Sequence, residues 1–179
     1  MMPIFPESGL QPPSPWVVKW ATYIAGGGHV LDLAAGSGRH TQFLAELGFE
    51  IEAVDKDVSA LSKLALLPNV RIREHDLERS GWPYRPDEFS GIVVTNYLHR
   101  PLFPSLINAL APGGLLIYET FALGNEVLGK PSNPNFLLLP GELLEAVRGR
   151  LRVLGYEDVF QSKPKPAMVQ RICAVRPVD

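Results

Sequence analysis

The sequence predicts a single α/β domain built on a doubly wound, seven-stranded sheet, mostly parallel, with an antiparallel hairpin at its C-terminal edge. Short apolar segments alternate with segments of helical spacing from residue 29 to residue 148, which favours parallel strands with helices on both faces. The last two apolar segments have no helix between them, which favours an antiparallel pair. At 179 residues, 46% of them hydrophobic, the chain suits one domain with a substantial core.

The N-terminal half of the domain predicts alternating helices and strands with clear boundaries. Ser14 suits a helix N-cap, Pro15 suits the first helical turn, and the glycines at 26–28 end that helix. Gly48 and Pro68 end the next two helices. The predicted helices cover 16–25, 39–47 and 58–67, and the predicted strands cover 29–34, 51–54 and 69–74.

The C-terminal half continues the alternation and adds one long loop. The sequence Ala-Pro-Gly-Gly at 111–114 predicts a sharp turn. Residues 121–139, rich in Gly, Pro and Asn, predict a loop of unusual length, which is typical of lids and binding loops. The predicted strands cover 90–96, 115–120, 151–160 and 168–175, and the predicted helices cover 101–110 and 140–148.

Residues 1–15 predict an extended arm ahead of a domain over 16–179. The arm contains five prolines and no basic region followed by a long apolar segment, so it does not resemble a signal peptide. No apolar segment approaches the roughly 20 residues that a membrane helix needs. We therefore expect no membrane partner.

Charge and cysteine content exclude several classes of protein. The 17 basic and 19 acidic residues leave a formal net charge of -2, which argues against a strongly basic nucleic-acid binder. Cys173 is the only cysteine, so the chain forms no internal disulfide, and one cysteine with four histidines argues against a metal site. These features predict a cytoplasmic protein without a bound metal.

A glycine-rich loop follows the first strand, where open α/β sheets bind ligands. The loop, residues 34–39, consists of small residues up to Arg39, so a ligand can approach its backbone closely. A tight strand-to-helix turn without a ligand is the structural alternative. Asp32, inside the strand, must be satisfied by N–H groups of the glycine turn or by a cationic ligand.

Asp55, at the end of the second strand, suits a nucleoside ribose. It lies nineteen residues after Gly36, and a carboxylate there accepts hydrogen bonds from both ribose hydroxyls. A helix cap is the alternative, but Asp57 already fits that role. The loop lacks the third small residue of a dinucleotide fingerprint, because Thr41 stands there, and Arg39 follows Gly38 where a phosphate loop has lysine. A nucleoside ligand without phosphates fits best.

These segments together resemble the class I S-adenosylmethionine-dependent methyltransferases, from Trp16 onward. More narrowly, the chain is similar to small bacterial enzymes of the tellurite-resistance methyltransferase type. The resemblance implies a Rossmann-like fold with an antiparallel last strand. It is carried by residues 30–38 (the glycine-loop motif), 53–57 (the acidic ribose segment), 75–77 (the adenine segment) and 111–116 (the turn that opens the fifth strand).

The resemblance implies that S-adenosylmethionine is the cofactor and assigns each part of it to residues of this chain. Gly36 and Gly38 would pass under the methionine portion, and Asp55 would hold the ribose. Asn96 would lie near the sulfonium. The full predicted set is Asp32, Ala34, Gly36, Gly38, Arg39, Asp55, Lys56, Asp76, Leu77 and Asn96.

Three residues near the ends of the fourth and fifth strands are candidates for catalysis. His99 has the pKa range of a general base, and Tyr97 and Glu119 would line the same cleft. Each has a structural alternative: a hydrogen-bonded histidine, a packing aromatic or a satisfied buried carboxylate. The sequence after Asn96 departs from the Pro-Pro-aromatic pattern of amino methylases, which argues against methylation of adenine or of a glutamine amide. The 121–139 loop would cover this acceptor pocket.

Three functions are consistent with these observations. The first is methyl transfer to a small molecule, favoured by the net charge and by the lack of a recognition domain. The second is methylation of RNA, with arginines 71, 73, 79, 85 and 100 as a positive rim. The third is cofactor binding without catalysis, in a protein that works through partners.

Overall fold

The computed structural model describes residues 9–178, and its centre is a seven-stranded sheet of order β3-β2-β1-β4-β5-β7-β6. Among the described residues, β7 runs in the direction opposite to the other six strands and pairs antiparallel with both β5 and β6. The predicted mixed sheet with a C-terminal hairpin is therefore confirmed. The strands are β1 (His29–Leu33), β2 (Glu50–Asp55), β3 (Val70–Glu74), β4 (Phe89–Thr95), β5 (Leu110–Phe121), β6 (Arg152–Gln161) and β7 (Ala167–Val175).

Four α-helices cover the two faces of the sheet. One apolar cluster lies between the sheet and α1 and α2, and the other lies under α3 and α4. Ser14 caps α1, because its Oγ accepts a hydrogen bond from the Trp16 amide and Pro15 occupies the first helical position. The helices are α1 (Pro15–Ala21), α2 (Arg39–Glu46), α3 (Phe103–Ala109) and α4 (Glu142–Val147).

The predicted helix over 58–67 was wrong. The segment forms two short 3-10 turns, Ser59–Leu61 and Leu64–Leu66. In a 3-10 arrangement residues three apart share a face, so Leu61 and Leu64 both lie over Gly38, where a Cβ would collide with them. The segment therefore packs against the start of α2.

The turn predicted at 111–114 is absorbed into β5, which begins earlier than expected. The Gly113 amide donates to the Arg176 carbonyl at 2.9 Å, and the Arg176 amide donates to the Gly114 carbonyl at 2.9 Å. These bonds pair the turn residues with the end of the chain, and the register of β4 and β5 shifts between Phe89 and Gly91. Gly113 has a φ of +77°, which the bend requires.

The predicted N-terminal arm falls partly on residues 1–8, which lie outside the described residues. Residues 9–14 form neither helix nor strand, and the Pro12 carbonyl accepts a hydrogen bond from the Arg39 side chain at 3.1 Å. Within residues 9–178 no helix is long and apolar enough to cross a membrane. The same residues contain no cluster of three or more His, Cys, Asp or Glu side chains that would bind a metal.

Replacing Gly38 with alanine should destabilise the fold by roughly 2–4 kcal/mol. Its φ of +80° strains any side chain, and the new methyl group collides with Leu61 and Leu64. Gly36 is the matched control, because its φ is +56° but a Cβ there approaches no protein atom within 4 Å except one carbonyl at 4.0 Å. G36A should cost only about 1–2 kcal/mol. Urea denaturation measures both, and equal losses for the two variants would contradict this packing role.

Candidate active site

A cavity of about 550 Å³ opens at the carboxyl ends of the parallel strands. The C-terminal ends of the first five strands and the loops that follow them supply its side chains. The lining consists of Ala34, Asp55, Lys56, His75, Asp76, Leu77, Glu78, Asn96, Tyr97, Leu98, Thr120, Phe121, Pro131 and Phe136. Six residues of the predicted cofactor set are among them: Ala34, Asp55, Lys56, Asp76, Leu77 and Asn96.

Asp55 joins the glycine loop to the end of β2. Its Oδ2 accepts a hydrogen bond from the Gly36 amide at 2.9 Å, and its Oδ1 accepts one from the Asp57 amide at 3.1 Å. Asp57 caps the turn that follows, because its carboxylate accepts from the Ser59 amide at 3.0 Å. Each carboxylate oxygen has two lone pairs, so Asp55 keeps acceptor capacity on the cavity side while it holds the loop.

Asp32 is buried beneath the loop and does not line the cavity. Its Oδ2 accepts from the Thr41 hydroxyl at 2.6 Å, and the Thr41 backbone also donates to it. Among the described residues the hydrogen-bond partner of Asp32 is therefore Thr41, which follows the glycine turn in α2. Burial raises the pKa of Asp32 to about 6. Thr41 occupies the position where a dinucleotide fingerprint has a small residue. Its hydroxyl supplies a hydrogen bond to the buried Asp32 carboxylate, which glycine or alanine could not do.

The backbone around the cavity is strained at two points. Ala34 has a φ of +55° and Asn96 a φ of +53°, both in the left-handed region that non-glycine residues rarely adopt. They follow the adjacent strands β1 and β4, and both line the cavity. Strain of this kind concentrates at ligand sites. The surroundings of Gly36 also leave open space where a side chain would be, which fits a bound group.

Gly36 and Gly38, to which the sequence analysis gave the same role, have different surroundings in the structure. A Cβ at Gly38 would collide with Leu61 and Leu64, so this glycine is required for packing. Neither glycine lines the cavity, but a Cβ at Gly36 would approach only the Ala34 carbonyl, at 4.0 Å. Arg39 does not line the cavity and donates instead to the Pro12 carbonyl.

Two further residues of the loop after β3 line the cavity: His75, which belongs to the predicted adenine segment, and Glu78, which the sequence analysis did not name. His75 lines the cavity, and its Nε2 lies 2.8 Å from the Gly81 carbonyl, so this nitrogen carries the proton. Glu78 lines it as well, and its amide donates to the Asp76 carboxylate at 3.0 Å. Both belong to the loop after β3. The predicted adenine segment 75–77 lies in this loop. Glu78 lies beside the cavity because the chain turns at Asp76, whose carboxylate accepts from the Glu78 amide.

Of the three candidate catalytic residues, Tyr97 alone lines the cavity. Its hydroxyl donates to Glu78 at 3.3 Å, and burial together with the Glu78 charge raises the pKa of Tyr97. Glu119 lies outside the lining, accepts from the Ser14 hydroxyl at 2.7 Å and pairs with Arg171. His99 also lies outside the lining, at the start of the 3-10 turn Arg100–Leu102.

Thr120, next to Glu119, lines the cavity instead and was missed by the sequence analysis. It is 2% exposed, and within residues 9–178 its hydroxyl has no hydrogen-bond partner. Successive residues of a strand point to opposite faces, so Glu119 faces Ser14 and Thr120 faces the cavity. At β5 the cavity is therefore lined by the Thr120 hydroxyl and Phe121 and not by the Glu119 carboxylate.

A buried histidine stabilises the chain ahead of α1 from outside the cavity. The Ser14 amide donates to His40 Nε2 at 3.0 Å, so the proton is on Nδ1, which lies 3.3 Å from the Thr95 hydroxyl. Burial and the charge of Arg39 lower the pKa of His40 to about 3. His40 is therefore neutral and joins Ser14 to β4.

Residues of the 121–139 loop form one side of the cavity. Phe121, Pro131 and Phe136 line it. The side chain of Asn125 braces the loop internally, since its amide donates to the Pro131 carbonyl at 3.0 Å and its oxygen accepts from the Met168 amide at 3.2 Å.

The family match and the curated relatives of this sequence are methyltransferases. Residues 30–114 match a family described as a methyltransferase domain. A protein-L-isoaspartate O-methyltransferase of Anaeromyxobacter dehalogenans is 35% identical over 113 residues, 58% of this chain and 53% of that protein. The chain therefore spans about half the length of the curated relatives it matches.

Two solved structures have the same fold. TehB from Haemophilus influenzae superposes with a TM-score of 0.77 at 20% identity, over 96% of this chain and 65% of that one. The 1,6-didemethyltoxoflavin-N1-methyltransferase of Burkholderia thailandensis, with S-adenosylhomocysteine bound, gives 0.71 at 17% identity, over 92% and 77%. In the matched segment 30–114, the sheet order and the glycine loop, the chain is therefore similar to S-adenosylmethionine-dependent methyltransferases.

Asp32 should make the stability of the protein depend on pH in the direction opposite to most carboxylates. Its pKa rises from 3.8 to about 6 on folding, so the folded protein holds this proton more tightly than the unfolded chain. Its contribution is present below pH ~4 and is lost as the pH rises through about 6, to a total of about 3 kcal/mol.

The variant D32N removes this titration and keeps an oxygen that accepts from Thr41. The unfolding free energy of D32N relative to the wild type should therefore increase by about 3 kcal/mol between pH ~4 and ~7. Urea denaturation at several pH values measures it. A difference that stays constant with pH would show that Asp32 titrates normally.

Proposed function

We propose that the protein transfers the methyl group of S-adenosylmethionine to a small-molecule acceptor. One observation carries the proposal: a single cavity runs from Asp55 to Thr120 and Phe136, with the 121–139 loop on its side. Such a cavity accepts a nucleoside at one end and a second small molecule at the other. Because it is closed in part by a loop, it fits a small acceptor better than a folded macromolecule.

The residues present fit the cofactor. Asp55 would accept hydrogen bonds from the ribose, and Asp76 with the Leu77 backbone would contact the adenine. The open space at Gly36 would take the methionine portion, beside Asn96. Of the remaining residues of the predicted set, Ala34 and Lys56 line the cavity and would contact the cofactor, Gly38 and Asp32 would hold the loop in shape, and Arg39 would act from outside the lining.

The bound cofactor supplies a methyl group already activated by its sulfonium, so the protein acts mainly by positioning. Tyr97 stays protonated because its pKa is raised, and its one proton is donated to Glu78, so it is unsuited to act as a base. Glu119 is paired with Arg171 and is unsuited to accept a proton. That His99 acts as a general base stays a prediction, and its position outside the lining favours an acceptor that arrives as a free nucleophile.

An RNA substrate receives less support from the charges. Four of the five arginines of the predicted rim are paired with carboxylates: Arg71 and Arg73 with Glu52, Arg79 with Asp76 and Arg100 with Glu142. Paired arginines offer less charge to phosphates.

We place the activity in the cytoplasm, since Cys173 is buried and free.

Replacing Asp55 with alanine should weaken binding of S-adenosylhomocysteine by roughly 2–4 kcal/mol, because charge-assisted bonds to the ribose are lost. The wild type should bind with micromolar affinity, on the order of -7 to -8 kcal/mol, by calorimetry. D57A is the matched control: Asp57 lies in the same turn but caps Ser59, so its loss should cost less than about 1 kcal/mol of binding. Wild-type affinity in D55A, or binding of NAD in place of S-adenosylhomocysteine, would contradict the assignment.

Methyl-labelled cofactor should pass its label to the small-molecule fraction of a bacterial extract. The enzyme is incubated separately with the small-molecule fraction, with bulk tRNA and with bulk protein. Label in the tRNA or protein fraction alone would contradict the proposed acceptor class. Binding of the cofactor without transfer to any fraction would instead favour a non-catalytic cofactor-binding protein.

A further inference from the structure

Arg100 links two walls of the cavity. It follows the segment of Tyr97 and Leu98, which line the cavity after β4, and its guanidinium reaches the 121–139 loop. Nη1 donates to the Asn135 carbonyl at 2.8 Å, and Nη2 donates to the Leu137 carbonyl at 2.8 Å. These carbonyls flank Phe136, so one side chain fixes the backbone on both sides of the aromatic ring.

Glu142 completes this contact from α4. Its Oε1 accepts from Arg100 Nε at 2.6 Å and its Oε2 accepts from Nη2 at 3.0 Å, which is the paired geometry that makes arginine–carboxylate bonds strong and directional. The same Oε2 accepts from the Leu139 amide at 2.7 Å. The end of the loop is therefore held by a network centred on Arg100.

Phe136 needs such support because little else holds its side chain. It is 51% exposed and lines the cavity, whereas the neighbouring Leu137 is fully buried. A half-exposed ring on a loop keeps a defined position only when the backbone beneath it is fixed.

The lining residues that β4, β5 and the loop supply beside this ring include no charged side chain. They are Asn96, Tyr97, Leu98, Thr120, Phe121, Pro131 and Phe136. Glu78, which also lines the cavity, accepts a hydrogen bond from Tyr97. A carboxylate acceptor would meet no cation among these residues, whereas a flat neutral ring would stack against the aromatic walls.

We propose that Arg100 is a positioning residue that fixes Phe136 as a wall of the acceptor site, and that this wall selects flat, uncharged acceptors. The inference rests on the proposed function, because it assumes that the methyl donor occupies the Asp55 end. It adds the chemical class of the acceptor and the residue that sets it.

Calorimetry on the S-adenosylhomocysteine complex tests the proposal with a matched pair of probes, quinoline and its carboxylate, quinaldate. Quinoline should bind, and quinaldate should bind at least about tenfold more weakly because its charge is desolvated without a partner. F136A and R100Q should each weaken quinoline about tenfold, and the double variant should be no weaker than F136A, because Arg100 acts through Phe136.

The controls separate this role from general stability. R148Q removes an exposed ion pair with Glu145 that does not touch the loop, and it should leave quinoline binding unchanged. All variants should keep the affinity for S-adenosylhomocysteine within about threefold, because Arg100 and Phe136 contact neither Asp55 nor Gly36. Chymotrypsin should cut R100Q within 121–139 about tenfold faster than R148Q, with R100K intermediate.

Three results would overturn the inference: quinaldate binding as tightly as quinoline, R100Q retaining full quinoline affinity, or the two substitutions adding fully in the double variant. Absence of quinoline binding to a complex that does hold S-adenosylhomocysteine overturns this inference alone. A wild type that fails to bind S-adenosylhomocysteine overturns the proposed function itself.

Discussion

The reversal of the chain between β1 and α2 is the constraint on which the site depends. Three contacts, each from a different direction, fix it. Asp55 holds the Gly36 amide from the neighbouring strand, Thr41 satisfies the buried Asp32 from below, and the packed 3-10 segment presses against Gly38. With these in place, the loop leaves open space at Gly36, where a Cβ would approach only the Ala34 carbonyl, at 4.0 Å.

The polar groups near the cavity divide into those that face it and those that hold the walls. Glu119, His40 and Ser14 form a buried network that ties the chain ahead of α1 to β4 and β5. Their hydrogen-bonding capacity is used within the protein, so they shape the site without reaching it. The groups left facing the acceptor end, Tyr97 and Thr120, are neutral hydroxyls, which suits positioning better than proton transfer.

Periodicity and turn chemistry were sufficient to predict the strands, their mixed pairing and the place of the ligand loop. Asp55 was predictable because the carboxyl ends of parallel strands share one edge. The role of Gly38 was not, since it depends on two leucines more than twenty residues away.

The choice between neighbouring residues at a strand end also lay beyond the sequence. Glu119 and Thr120 are neighbours near the end of β5, but strand alternation turns only one of them toward the cavity, and Glu119 is bound to Ser14 instead. His99 follows Tyr97 by two residues, yet the chain enters a 3-10 turn there and takes it out of the lining. Chemical suitability selected Tyr97, His99 and Glu119, whereas the cavity is lined by Tyr97 and Thr120.

A crystal structure with S-adenosylhomocysteine tests the central claim, that one cavity holds the methyl donor against a closed acceptor chamber. The account predicts that the ribose hydroxyls lie within hydrogen-bond distance of Asp55, and that the sulfur faces the space between Thr120 and Phe136. A ligand bound away from Asp55, or a sulfur open to solvent with Phe136 displaced from the cavity, would contradict it.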